Sequence, residues 1–288
     1  MHPDGFQCIA ESPRIAWRRY LARIPQHRSQ AFTLIEVLVG FAVLAAVVTL
    51  LLSVFSNFSQ ITSTSNRRIE TNKQPRAMFD RMAFDIGSAV SSGGVNIVFK
   101  KNEALPSGTS PKNDALILLT DAKNRDPQSR MAKIGYSVGP YQDQTRNMVV
   151  ETVLRYVEPF GWGDDTSAIG ITSSADAQPI AMGILRFELA FVNRDGKILA
   201  GPPPAPADSD QMREFYENLS AIICTVATLD EDSLQKLTPT ERDAIVNRLD
   251  DAVDNQAPLA VWQSIDFANL PLPARQGLRF HQRYFRLK

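Results

Sequence analysis

A single carboxylate interrupts the longest apolar run of this sequence. The run extends from Phe32 to Phe55, and Glu36 is the only charged residue among its 24 positions. At about 1.5 Å per residue, a helix of this length rises about 36 Å, enough to cross the roughly 30 Å hydrocarbon core of a bilayer. A carboxylate in lipid is costly and usually has a cationic partner or a function. Glu36 is therefore the first candidate functional residue.

Basic residues precede this run. Residues 12–31 contain five arginines and no acidic residue. Because positively charged flanks remain in the cytoplasm, the asymmetry predicts a single-pass helix with residues 1–31 in the cytoplasm and the rest of the chain on the far side. A secretory signal has a shorter apolar region followed by small residues at a cleavage site, and that pattern matches poorly here.

The segment from Ala31 to Val48, AFTLIEVLVGFAVLAAVV, resembles the class III signal of type IV prepilins and type II secretion pseudopilins. In that family, prepilin peptidase removes a basic leader immediately before a phenylalanine, and the new amine is methylated. The resemblance implies that Ala31 ends the leader, that Phe32 begins the mature chain and is N-methylated, and that Glu36 acts in assembly. The other matching residues are Thr33, Leu34, Ile35, Val37 and Leu38.

Cleavage before Phe32 would create a cationic amine four residues from Glu36, on the same face of the helix. A carboxylate attracts a cation strongly in a medium of low dielectric constant. The resemblance implies that this cation is the amine of a neighbouring subunit. The alternative is a plain signal anchor with an incidental glutamate. The family usually has glycine where this chain has Ala31, a tolerated variant that implies slower processing.

A weaker resemblance, of pattern only, extends to the J-type minor pseudopilins, the W-type minor pilins and the Verru_Chthon cassette protein C family. It is carried by the stretches RAMFDRMAFDI, GYSV, VLRYVEP and RYFRL, in that order. The long leader also implies a minor subunit. The resemblance implies an inner-membrane, tip-associated protein whose partners are prepilin peptidase, other pilins or pseudopilins in a hetero-oligomeric filament, and an inner-membrane assembly platform.

The remaining pattern predicts an α+β, pilin-like fold, with a long N-terminal transmembrane helix packed on an antiparallel β-sheet head. Five β-rich runs are separated by turn residues, and in the fourth, residues 184–192, apolar positions alternate as in a half-buried strand. The other four are 114–120, 133–138, 148–157 and 219–229. The expected domains are the basic leader 1–31, the transmembrane helix 32–55, a helix extension 56–90 with a kink near Pro75, and the periplasmic head 91–288.

Two further elements are predicted near the C-terminus. Thr238 to Glu241 has the spacing of a capping box with proline at the first helical position, and it predicts a helix to about Val253. Residues 277–288 read as a last strand with an arginine-rich face. Its cations and aromatic residues suggest either a nucleic-acid surface or a strand edge protected by charge. Lysine plus arginine and aspartate plus glutamate number 31 each, and this balance favours the protected edge over a nucleic-acid partner.

The sequence offers little for catalysis or metal binding. Only His281 and Cys224 would remain of the three histidines and two cysteines after cleavage, so we expect no enzyme activity, cofactor or metal. Asp80, Arg81 and Asp85 are expected on a solvated helix face. The acidic loop 161–165 lacks the EF-hand pattern, so a turn is favoured, with calcium left open. A membrane-anchored periplasmic enzyme or binding protein is the alternative for the whole chain.

Overall fold

A computed structural model describes residues 33–89, 97–103, 105–106, 112–126, 129–144, 147–161, 170–173, 177–203 and 209–287. The chain divides into two compact units, and the division falls after Ser59. The first contains the beginning of a long helix. The second contains the end of that helix and the β-sheets.

The helix, α1, extends from Leu34 to Gly87 and has Pro75 inside it. Its last turns are amphipathic, as predicted. Four apolar side chains recur at helical spacing there and are buried in the core of the second unit: Met78, Phe79, Met82 and Ile86. Gln74, one residue before the proline, accepts a hydrogen bond of 2.6 Å from the backbone N–H of Met182. The end of α1 is thus an integral part of the sheet-containing unit.

Two antiparallel sheets complete the second unit and confirm the α+β, pilin-like fold class. The first is a five-stranded meander in the order β1-β2-β3-β4-β5, and the second has the order β7-β6-β8-β9. The first comprises β1 Ile97–Lys100, β2 Ala115–Asp126, β3 Ser129–Asp143, β4 Met148–Phe160 and β5 Gln178–Met182. The second comprises β6 Ile184–Asn193, β7 Ile198–Leu199, β8 Leu219–Leu229 and β9 Leu278–Arg286.

The five β-rich runs of the sequence form β2, β3, β4, β6 and β8, and the C-terminal run forms β9. The strands that the sequence did not reveal are the short β1, β5 and β7. In the described ranges, five short helices accompany the sheets: α2 Ser209–Glu217, α3 Glu231–Lys236, α4 Pro239–Arg248, α5 Pro258–Gln263 and α6 Leu272–Gly277. The capping box of α4 is confirmed, since Thr238 and Glu241 exchange backbone and side-chain hydrogen bonds. The helix ends at Arg248, short of the predicted Val253.

The apolar core has two main parts. The first joins the end of α1 to both sheets. The second includes Leu185 of β6 and Leu229 of β8 and packs them against α3 to α6 around the fully buried Trp262. Strand β6 is buried on both faces, because its polar residues Arg186 and Glu188 have no exposed surface. The prediction of a half-buried β6 was therefore wrong.

Asp85 links α1 to the five-stranded sheet through a buried ion pair. Its carboxylate accepts two hydrogen bonds from Arg155 on β4, of 2.6 Å from Nε and 3.1 Å from Nη2. The hydroxyl of Tyr136 on β3 donates a third. Burial and the Asp85 charge raise the pKa of Tyr136, so this hydroxyl stays protonated and can donate. All three residues are at most 3% exposed, so the prediction of a solvated Asp85 was wrong.

A second group of charges surrounds β6, and we call it the β6 ionic cluster: Lys101, Asp114, Arg186, Glu188 and Asp251. Asp114, Arg186 and Glu188 are buried, whereas the side chains of Lys101 and Asp251 are partly exposed. Lys101 Nζ lies 3.4 Å from Asp114 Oδ2 and also pairs with Glu188. Arg186 Nη2 donates to Glu188 at 2.7 Å and also pairs with Asp251. The N–H of Leu189 donates to Asp114 Oδ2 at 2.8 Å. The cluster thereby links the segments before β2 and after α4 to β6, an inner strand of the second sheet.

The cluster contains three carboxylates and two cations. Burial, followed by the nearby charge of Glu188, raises the pKa of Asp114 to about 7, against the opposing effect of Lys101 and two backbone N–H groups. Near neutral pH, Asp114 therefore titrates inside the folded protein.

We predict that Asp85→Ala lowers the free energy of unfolding by about 3–5 kcal/mol, because it leaves the guanidinium of Arg155 buried and unpaired. The matched control is Asp80→Ala on the same helix. Asp80 pairs with Arg283, but these side chains are 61% and 40% exposed, so the loss should be at most about 1 kcal/mol. Urea unfolding of the full chain in detergent micelles, followed by tryptophan fluorescence, measures both. Equal losses in the two variants would contradict this assignment.

The raised pKa of Asp114 predicts a pH dependence of stability. The folded state keeps a proton on Asp114 up to a pH of about 7, whereas the unfolded state releases it near 3.8, so this residue makes the free energy of unfolding fall as pH rises from about 4 to about 7. Asp114→Asn should remove that contribution. The difference in melting temperature between wild type and variant, measured every half pH unit, should shift across this interval. Asp243→Asn, at an exposed site, is the matched control, and identical pH profiles for the two variants would rule the idea out.

Candidate functional site

Thr33 holds the first turn of α1. Its hydroxyl oxygen accepts a hydrogen bond of 3.3 Å from the backbone N–H of Glu36. Its carbonyl oxygen accepts from the N–H groups of Glu36 and Val37 at 3.0 and 3.3 Å. Threonine followed three residues later by glutamate is the spacing of an N-terminal cap. The sequence therefore contains a local signal for this helix start, separate from the place of Thr33 in the N-terminal motif.

Glu36 is the acidic residue in the first turn of α1. The N–H groups of a first helical turn carry partial positive charge, which favours a carboxylate at this position. The Glu36 side chain is exposed, and within residues 33–89 and the other described ranges no cation pairs with it. The carboxylate is thus available to a cation from outside the described residues.

The helix surface around Glu36 is apolar and exposed. The stretch Leu34–Ser59 has a mean hydropathy of 2.8 over its most apolar window, and none of that window is buried. By length and composition it could cross a membrane. Exposing a large aliphatic side chain instead of burying it costs about 1.5–3 kcal/mol, and Leu34 and Ile35 are 84% and 70% exposed. This helix fits a single-pass membrane anchor.

The residues of the predicted N-terminal motif are only partly covered by the structure. Ala31 and Phe32 lie outside the described residues. The motif residues from Thr33 to Leu38 occupy the cap and the first helical residues of α1. Gly40 is one helical turn beyond Glu36, and a side chain at Gly40 would meet no atom within 4 Å. A neighbouring helix can therefore approach the backbone on the face that carries Glu36.

The C-terminal arginines do not form one face with exposed aromatic residues. Phe280 packs against Trp262, with ring centroids 5.6 Å apart, and Phe285 is buried, whereas Tyr284 is 53% exposed. Because alternate residues of a strand lie on opposite faces, Arg279 and Arg283 share one face of β9 and Arg286 lies on the other. Arg275 lies in α6, before the strand. Within the predicted strand 277–288, Arg286 therefore lies on the face opposite to Arg279 and Arg283, so the prediction of one arginine-rich face was wrong.

Other chemically interesting residues are buried or outside the described ranges. Cys224 is a buried free thiol, and burial, followed by the charges of Asp114 and Glu188, raises its pKa, which disfavours the nucleophilic thiolate. Burial and the charge of Arg279 lower the pKa of His281. The described residues contain no group of three or more metal-binding side chains of the histidine, cysteine or acidic type. Asp164 and Asp165 of the acidic loop lie outside the described residues.

Comparison with known proteins adds one finding. Residues 26–52 match the profile of the prokaryotic N-terminal methylation motif, a segment that contains the predicted cleavage position and Glu36. No curated protein matches the chain significantly. The motif supports prepilin-type processing and a structural subunit of pilin type rather than an enzyme. The chain thus combines a prepilin-type methylation motif with a membrane-length helix and an α+β, pilin-like fold.

Proposed function

We propose that this protein is a minor pilin or pseudopilin subunit that assembles through α1 into a type IV pilus-like or type II secretion filament, near its tip. The observation that carries the proposal is an exposed, membrane-length apolar helix that begins within the methylation motif and has Glu36 in its first turn. None of the most apolar window of this helix is buried against the described chain, so its side chains require lipid, and then neighbouring helices, to cover them.

The proposed chain organisation follows the order of processing. Residues 1–31 form a cytoplasmic leader, 32–55 cross the inner membrane, 56–90 extend the helix with a kink near Pro75, and 91–288 form a periplasmic head. Prepilin peptidase cuts between Ala31 and Phe32, and the new amine of Phe32 is methylated. The basic leader supports this orientation through the positive-inside rule.

In the proposed assembly step, Glu36 pairs with the N-terminal amine of a neighbouring subunit. The structure supports this role because the carboxylate is exposed and no described cation pairs with it. In a medium of low dielectric constant, an unpaired carboxylate is unfavourable and a paired one is stabilised. This difference selects the register in which neighbouring helices meet.

Helix packing supplies the rest of the proposed interaction. Lipid provides no hydrophobic driving force between helices, so association depends on close contact and polar pairing. Small residues near the start of α1 permit that contact: Gly40, Ala42, Ala45 and Ala46. Partners of the assembled subunit are other pilins or pseudopilins and the inner-membrane assembly platform.

Co-expression with a cognate prepilin peptidase should yield a chain that begins with N-methylated Phe32. Intact-mass and N-terminal peptide analysis measures this, and cells lacking the peptidase provide the control, in which residues 1–31 are retained. Because glycine is usual at the position of Ala31, Ala31→Gly should leave the product unchanged and accelerate its formation. A chain cut beyond Phe55, or one never cut, would overturn the proposed processing and favour an anchored enzyme or binding protein.

Glu36→Gln should reduce recovery of the protein in sheared filaments or cross-linked complexes at least tenfold, because it removes the charge that pairs with the amine. Membrane insertion should be preserved, as measured by carbonate extraction. Thr49→Leu is the matched control in the same helix, since the Thr49 hydroxyl bonds to the carbonyl of Ala45 at 2.8 Å within its own chain. Glu36→Asp, which keeps the charge, should retain more assembly than Glu36→Gln. Full assembly of Glu36→Gln would contradict the role given to this residue.

A further inference from the structure

Strand β9 is an edge of the four-stranded sheet. The alternation of hydrogen bonds along it shows which residues direct their backbone N–H and C=O groups away from the sheet. The N–H of Leu287 donates to the carbonyl of Ser220 at 2.9 Å, continuing the pairing of β9 with β8. In an antiparallel pair, alternate residues direct both backbone groups toward the partner strand. Phe285 and Arg283 therefore face β8, as do His281 and Arg279. The residues between them face away from the sheet.

The outward backbone groups belong to Phe280, Gln282, Tyr284 and Arg286. No hydrogen bond joins any of these four residues' backbone groups to another part of the described chain on the side away from β8. Of Gln282, it is the side-chain oxygen Oε1 that accepts a hydrogen bond from the α5 segment, from the backbone N–H of Leu259 at 3.1 Å. An unpaired row of donors and acceptors is a template for another strand. At about 3.3 Å per residue, four alternating positions offer room for a partner segment of about seven residues.

The charge of this edge determines which strand it would accept. From Phe267 to Lys288 the sequence has five cationic residues and no acidic residue, although the whole chain has equal numbers of each. Arg275 and Arg286 are exposed, and no described acidic side chain pairs with either. Asp80 pairs with Arg283 at 2.5 Å and offsets part of the charge. Two copies of such an edge would repel each other, whereas an acidic strand would be attracted.

We propose that the outer edge of β9 binds an extended acidic segment of a partner protein by adding it as a fifth strand to this sheet. The backbone groups of the four outward residues supply the hydrogen bonds. Arg279 and Arg286 flank the added strand on opposite faces and select acidic side chains. The exposed ring of Tyr284 supplies apolar contact for the alternate residues. This interaction concerns the head alone and does not depend on processing at Phe32.

The proposal can be tested with the full chain in detergent micelles and a fluorescent seven-residue peptide that alternates glutamate and threonine. Fluorescence anisotropy at low salt should show binding. The same peptide with N-methyl groups on alternate backbone nitrogens, or with lysine in place of glutamate, should bind at least tenfold more weakly. Hydrogen–deuterium exchange should slow in residues 278–287 when the acidic peptide is present.

Protein variants separate charge from backbone pairing. Arg279→Glu combined with Arg286→Glu should weaken binding at least tenfold, whereas Lys197→Glu combined with Lys236→Glu makes the same charge change at exposed sites elsewhere and should not. Tyr284→Pro removes an outward N–H and leaves the bonds to β8 in place, so it should abolish binding without unfolding the sheet. If this variant fails to fold, the N-methylated peptide still tests the same hydrogen bonds.

Three results would overturn the proposal. Equal binding of the N-methylated and unmodified peptides would reduce the interaction to surface electrostatics. Absence of peptide binding at low salt would exclude an acidic strand as the occupant. Binding of single-stranded oligothymidylate, lost in the double arginine variant, without peptide binding would make the edge a nucleic-acid surface.

Discussion

The buried contact between Asp85 and Arg155 is the constraint on which the head depends. It fixes the rotation of the end of α1, because a carboxylate on one face of a helix can reach a guanidinium on β4 in only one orientation. The helix then presents its apolar side chains to both sheets. A bidentate pair of this kind, completed by the Tyr136 hydroxyl, provides direction that apolar packing by itself lacks. The end of α1 and the five-stranded sheet therefore belong to one compact unit.

Glu36 and Asp85 lie on the same helix, and their carboxylates have different surroundings: Asp85 is buried, and Glu36 is exposed within an apolar segment. Asp85 is satisfied within its own chain, by residues that the fold brings to it. Glu36 has only the partial charges of its helix turn among the described residues. A satisfied carboxylate stabilises a fold, and an unsatisfied one in lipid requires a partner from another molecule. The proposed assembly mechanism depends on this contrast.

Strand β6 and strand β9 distribute charge in the second sheet in different ways. The two charges of β6, Arg186 and Glu188, are buried and pair with each other inside the β6 ionic cluster. The cations of β9 remain at the edge, where Asp80 is the acidic side chain that pairs with them in the described residues. A central strand must compensate its charges internally because water cannot reach them. An edge strand can retain uncompensated charge, and that charge gives it selectivity toward a partner.

The sequence by itself determined the features that depend on residues close together in the chain. The membrane-length run, the methylation motif around Phe32 and Glu36, the capping box at Thr238 and the six longer strands all have local signals of hydrophobicity, spacing or turn type. Tertiary structure decided the fate of the charged residues. Asp85 read as solvated because its partner Arg155 is 70 residues away, and Arg186 and Glu188 made β6 read as half-buried because a polar residue looks the same whether water or an ion pair satisfies it. The local sequence pattern specifies which residues form helices and strands, whereas the pairing of charges that are distant in sequence is settled only when the chain has folded.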